Sequence, residues 1–119
     1  MQSYKDLEIY QLAHKLAIEI HKMSLRLPQF EMYEEGSQIR RSSKAVASSI
    51  VEGFGRKRYQ ADYLKFLIYA HASCDETREH LEILFESGSL TDENQYTYFT
   101  EGYEKLSRKI NKFLQTFKL

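Results

Sequence analysis

Tyr96, Phe99, Tyr103, Leu106, Ile110, Phe113 and Phe117 recur at alternating steps of three and four. That rhythm leaves the end of this chain one option, a helix whose single apolar face needs a matching groove. The same period returns upstream. Over 7–27 it carries Ile9, Ala13, Leu16, Ile20, Met23 and Leu27, and over 60–86 it carries Tyr63, Leu67, Ala70, Cys74, Thr77, Leu81 and Leu84. Over 34–52, Ile39, Val46 and Ile50 are flanked by Ser42, Ser43, Ala45, Ala47, Ser48 and Ser49. Such small side chains let a neighbouring helix approach closely, because interaxial distance follows side-chain size at the contact.

The breaks between these segments are few. Pro28 stops the first, and Asp6 is expected to cap its start by accepting from first-turn N–H groups. Gly53 and Gly55 are expected to close the second by taking the left-handed conformation. Gly88 breaks the third, with Thr91 or Asp92 as the next cap. One proline and five glycines in 119 residues supply too few reversals for a turn-rich β fold. The expected architecture is therefore all-α, an antiparallel up-down-up-down four-helix bundle, with residues 1–119 forming one domain. A hydrophobic content of 42% is enough to fill that core.

Several functions are disfavoured at once. No apolar run reaches the roughly 20 residues that span a bilayer, and the opening MQSYKDLEIYQ is charged where a secretory signal is apolar. A cytoplasmic location is expected. Cys74 is the only cysteine, which excludes an intrachain disulfide, and zinc-ribbon spacings are absent. Bundles that hold two irons use Glu-x-x-His pairs, and none occurs here. His71 and Cys74 lie three apart on one helical face, but two ligands make a weak metal site and both read as side chains near the core. His14 and His21 read as surface groups, and His80, amid Glu76, Glu79 and Glu82, as a solvated helix residue. None of the known local signatures of an activated nucleophile surrounds Cys74 or a serine, so no catalytic site, metal or cofactor is expected.

The net charge is zero, yet charge is sorted along the chain. Residues 38–58 carry Arg40, Arg41, Lys44, Arg56, Lys57 and Arg58 against Glu52, and residues 103–119 carry Lys105, Arg108, Lys109, Lys112 and Lys118 against Glu104. The remainder holds six basic and fifteen acidic residues. In the stretch SIVEGFGRKR, Glu52, Gly53 and Gly55 read as a structural turn ahead of three consecutive cations. Glycine N–H groups and the following helix N-terminus suit a phosphate there, and a helix end followed by a soluble basic turn is the competing reading. Arg40, Arg41 and Lys44 lie on one flank of the same helix, so the two groups make a strip able to follow a nucleic-acid backbone. Tyr59, Tyr63 and Tyr69 have faces on which bases could stack, but their helical spacing favours packing or a subunit interface.

Gln38, Arg40-Arg41-Ser42, Ser49-Ile50, Glu52-Gly53, Gly55-Arg56, YLKFLIYAHASCDET and Leu81 together form a pattern. It resembles the four-helix-bundle family encoded by intervening sequences within 23S rRNA genes, over nearly the whole chain. The resemblance implies a homo-oligomer, commonly a pentamer, with no enzymatic activity, and a related branch of accessory proteins of diversity-generating retroelements. By carry-over, Arg40, Arg41 and Arg56, with Lys57 and Arg58, are the implied contacts to RNA or DNA. One departure is Ser49, where the family usually has asparagine; serine replaces the acceptor but not the paired amide donors. The rival expectation is a structural oligomerisation module in which Arg40, Arg41 and Arg56 pair with carboxylates across subunits.

Overall fold

The computed structural model describes residues 3–117. Four helices form, α1 (Glu8–Ser24), α2 (Glu35–Gly55), α3 (Gln60–Glu86) and α4 (Glu93–Leu114). Short 3-10 turns at Tyr4–Asp6 and Gln29–Tyr33 precede α1 and α2. No strand occurs among the described residues. Cross-helix contacts set the directions. Glu8 and Glu19 of α1 meet Lys109 and Tyr98 of α4, so residue numbers rise along one helix as they fall along the other. The same holds for Ser42 with Thr77 beside Gly53 with Tyr63 and for His71 with Ser107 beside Phe85 with Tyr96, while the end of α1 meets the start of α2 through Ser24 and Arg40 and earlier α1 residues share a hollow with Lys44 to Val51. The bundle is therefore antiparallel throughout, up-down-up-down. Its 44 × 22 × 21 Å extents match a helix the length of α3 at about 1.5 Å per residue.

The apolar stripes meet on the bundle axis. Leu16 and Ile20, Ile39, Val46 and Ile50, Leu67, Leu81 and Leu84, and Tyr103, Leu106 and Ile110 are buried in one continuous core. Each such side chain contributes roughly 1.5–3 kcal/mol when fully buried. The small-residue face of α2 meets α3, where the Thr77 hydroxyl donates to Ser42 Oγ at 2.9 Å and Ser42 donates on to the Ile39 carbonyl. Cys74 is buried in this core, and burial pushes its thiol up to about 12. The Tyr103 phenol is raised by the same cause, with Ser43 opposing the shift, and its hydroxyl makes no hydrogen bond of normal geometry among the described residues.

Helix ends depart from expectation at three places. Asp6 does not cap α1, whose N-cap is Leu7; its carboxylate accepts from the Ser3 N–H at 3.1 Å and closes the preceding 3-10 turn. The first helix stops at Ser24 rather than Leu27, with the Ser24 hydroxyl turned back onto the His21 carbonyl at 2.8 Å. Gly53 and Gly55, expected to close α2, lie inside it, as does Glu52, and neither glycine has positive φ. The reason at Gly53 is proximity: a Cβ there would stand 3.1 Å from Phe66 Cβ and 3.2 Å from Tyr63 Cδ1. Gly88 does take the left-handed conformation, with φ of 86°. Asp92 caps α4 by accepting from the Gln95 N–H at 3.1 Å.

The connection 25–34 holds an element that periodicity does not reveal. Glu31 is only 4% exposed. Its Oε1 accepts from the Glu35 N–H at 3.2 Å and its Oε2 from the Ser89 hydroxyl at 2.6 Å. One carboxylate thus satisfies an orphan donor of α2 and ties the α1–α2 connection to the α3–α4 connection.

Candidate nucleic-acid interface

The six expected cations divide in the fold. Arg40 turns inward: Nη1 donates to Ser24 Oγ at 3.0 Å and Nη2 to the Met32 carbonyl at 2.5 Å. Arg41 and Lys44 are exposed along the outer face of α2. Arg56 faces carboxylates of its own chain, with Nε 2.8 Å from Glu52 Oε2 and Nη1 3.6 Å from Asp62 Oδ2. The hydrogen bond it donates to Glu52 raises its guanidinium pKa further. The ammonium of Lys57 lies over the Phe54 ring, 3.9 Å from its centroid, and Arg58 is exposed. These side chains do not form one strip.

The glycine concavity expected for a phosphate does not form either. Gly53 and Gly55 are helical, and the N–H groups of Arg56, Lys57 and Tyr59 donate to Gly53, Phe54 and Arg56 carbonyls. Tyr63 is withdrawn into an edge-on cluster with Phe54, Phe113 and Phe117. Tyr59 and Tyr69 stay exposed. His80 is held rather than solvated, at 13% side-chain exposure, with Nδ1 2.7 Å from Glu35 Oε2 and Nε2 3.3 Å from Glu76 Oε2. His71 Nε2 meets Ser107 Oγ at 3.0 Å. Among the described residues no three His, Cys, Asp or Glu side chains are grouped to hold a metal ion. Among the described residues no helix is long and apolar enough to cross a membrane.

Antiparallel packing sorts the charge in space. Cutting every helix near its middle puts 3–15, 46–72 and 104–117 in one half of the bundle and 16–45 and 73–103 in the other. The first half holds ten cations against five carboxylates, and the second six against twelve. Lys118, counted above in the C-terminal basic stretch, lies outside the described residues. Residues of the basic half that were not expected as nucleic-acid contacts include Lys15 on α1 and, from the C-terminal basic stretch, Lys105, Lys109 and Lys112 on α4. Steps of four and three between the last three were the available signal. Lys109 pairs with Glu8, and that hydrogen bond, with Lys105 and Lys112 nearby, holds the Glu8 carboxyl below its ordinary range.

A charge-sorted bundle of four antiparallel helices, without a grouped metal-ligand set among its described residues, defines the class as an all-α helical-bundle protein. Residues 5–112 match the family described as 23S rRNA-intervening sequence protein, and the chain belongs to that family. A crystal structure of a protein of unknown function from the S23 ribosomal protein family of Bacteroides thetaiotaomicron VPI-5482 is similar, with TM-score 0.79 and 21% identity, covering 89% of this chain and 97% of that one. At that identity the likeness establishes the fold. Among curated proteins, none matches this chain.

Proposed function

We propose that this protein is a non-enzymatic, cytoplasmic subunit of a homo-oligomer, a pentamer by family resemblance, that binds RNA through the basic half of its bundle. One observation carries the reading: a chain of zero net charge gathers ten of its cations around five carboxylates at one end. A surface of that kind attracts a polyanion by releasing its condensed counterions. Within it Lys57 and Arg58 stand at the tip, and Lys44, just across the midline in the other half, extends the surface along α2. Arg40 is left out, because its guanidinium serves the connection between α1 and α2.

The test is a titration of rRNA fragments at two salt concentrations, with mass in solution measured alongside. Binding that weakens steeply with salt is expected, at a slope of about −0.7 per phosphate contact on a single strand. Undetectable or salt-independent binding overturns the reading. A second reading, a structural oligomerisation module, is favoured by the carboxylate excess of the opposite half, which complements the basic half of another copy. An oligomer that dissociates with salt while binding no RNA would support it.

A further inference from the structure

We infer that the furrow between α1 and α4 is the track for the sugar–phosphate backbone of a single nucleic-acid strand, with Glu8 as a built-in competitor for the incoming phosphate. The inference rests on the RNA-binding reading above and names where in the basic half the strand lies.

The furrow follows from the way the bundle closes. Among the four adjacent helix pairs, α1 and α4 touch least, and the seam stays open as two hollows that share Glu8 and Lys109. Lys105, Lys109 and Lys112 line it from α4 and Lys15 from α1. Glu8 is the only carboxylate in that lining. Four ammonium groups against one carboxylate leave a positive surplus among the lining residues. The α2–α3 turn differs, since Glu52 and Asp62 already face Arg56.

Shape separates a strand from a single small anion. The steps from Lys105 to Lys109 to Lys112 place three ammonium groups along one face of α4, spread over about 10 Å of helix axis. A lone phosphate would meet one or two of them, whereas a backbone meets all in turn. The floor is apolar, from Leu7, Ile9 and Leu12, and the Phe113 ring there is engaged edge-on with Tyr63 and Phe117. The furrow therefore offers charge without a free aromatic face, which suits backbone contact tolerant of base sequence.

Glu8 gives the inference its sharpest consequence. Its side chain is 73% exposed yet paired with Lys109, and it occupies the charge position a phosphate would take. Removing its charge strengthens binding, whereas removing Lys105 and Lys112 weakens it. Loss of folding cannot produce the first effect.

The experiment is anisotropy titration of a labelled oligouridylate across a salt series. It compares the natural chain, Glu8→Gln, Lys105→Gln with Lys112→Gln, and Lys57→Gln with Arg58→Gln. Expected are tighter binding for Glu8→Gln and a salt slope shallower by about 1.4 for the α4 pair. An unchanged slope in the α4 pair, with binding lost in the Lys57 and Arg58 pair, overturns the furrow and leaves the RNA-binding reading standing. No binding by the natural chain at any salt overturns both. Polyglutamate that competes as strongly as the oligouridylate overturns the assignment to nucleic acid.

Discussion

The backbone carbonyl of Glu31 occupies the space that a Cβ on Gly36 would need, with the Arg40 guanidinium 3.2 Å from the same point. Backbone cannot rotate aside as a side chain can. Gly36→Ala is therefore expected to destabilise the fold by about 2 kcal/mol, within the usual range for overpacking, despite alanine's better helix propensity. Gly102→Ala is the comparison, because its new Cβ would meet the movable Leu16 Cδ2 at 2.9 Å. Urea midpoints of the two variants check this, and equal losses would contradict it.

Arg40 joins Ser24 at the end of α1 to the Met32 carbonyl of the connection. Hydrogen bonds from a charged donor contribute about 1.5–3 kcal/mol each. Arg40→Gln is expected to lower stability by about 2 kcal/mol while leaving the affinity of the folded fraction for RNA unchanged. A variant of full stability with weakened RNA binding would return Arg40 to the interface.

The Tyr103 hydroxyl is enclosed and makes no hydrogen bond of normal geometry among the described residues, the Ser43 side chain being the one group that bears on it as a partner. An unsatisfied buried hydroxyl costs about 1–3 kcal/mol, so Tyr103→Phe is expected to raise stability by about 1 kcal/mol. Thermal unfolding of the pair measures it, and a clear loss would show that the hydroxyl is satisfied.

Cys74 is buried, and its thiol is pushed up to about 12. Thiolate is the reactive form, so a disulfide reagent at pH 8 should label the native protein only as fast as it opens. In denaturant the thiol should react at once. Rapid native labelling would contradict the buried placement.

The pH dependence of the Glu8–Lys109 pair has a defined sign. Glu8 is held below the ordinary carboxylate value of 4.5, chiefly by the hydrogen bond from Lys109, so its folded form binds a proton less readily than the unfolded chain does. The contribution to stability is present above the ordinary carboxylate range and is lost as pH falls through the depressed folded value. Carboxyl NMR titration should place Glu8 low in the natural chain and return it toward the ordinary range in Lys109→Met. A titration unaffected by that substitution would rule out the pairing in solution.

Much of this was readable from the chain, for reasons that differ by element. The expected third helix, Gln60 to Glu86, coincides with α3, because a long unbroken period bounded by a basic turn and Gly88 admits little else. Asp92, one of the two caps expected there, caps α4 because side-chain capping is local. Gly53 was misread because glycine serves both to end a helix and to admit a neighbour, and Tyr63 and Phe66 decide between them. Arg40 looked like part of a strip, since its partners Ser24 and Met32 come from other elements. The furrow was hidden for the same reason: Lys15 and Lys105 become neighbours only when the last helix closes on the first.

The sorting of charge along the bundle also bears on the kinetics of encounter. A body 44 Å long with opposite charge at its ends experiences a torque near a polyanion, and it turns its basic end forward before contact. That orientation requires the two ends to feel different potentials, which holds while the Debye length is comparable with the body, about 30 Å at 0.01 M salt, and fails at about 8 Å in physiological salt. Salt should therefore slow association as well as weaken the complex, and the loss of on-rate should be steepest where the screening length falls below the length of the rod.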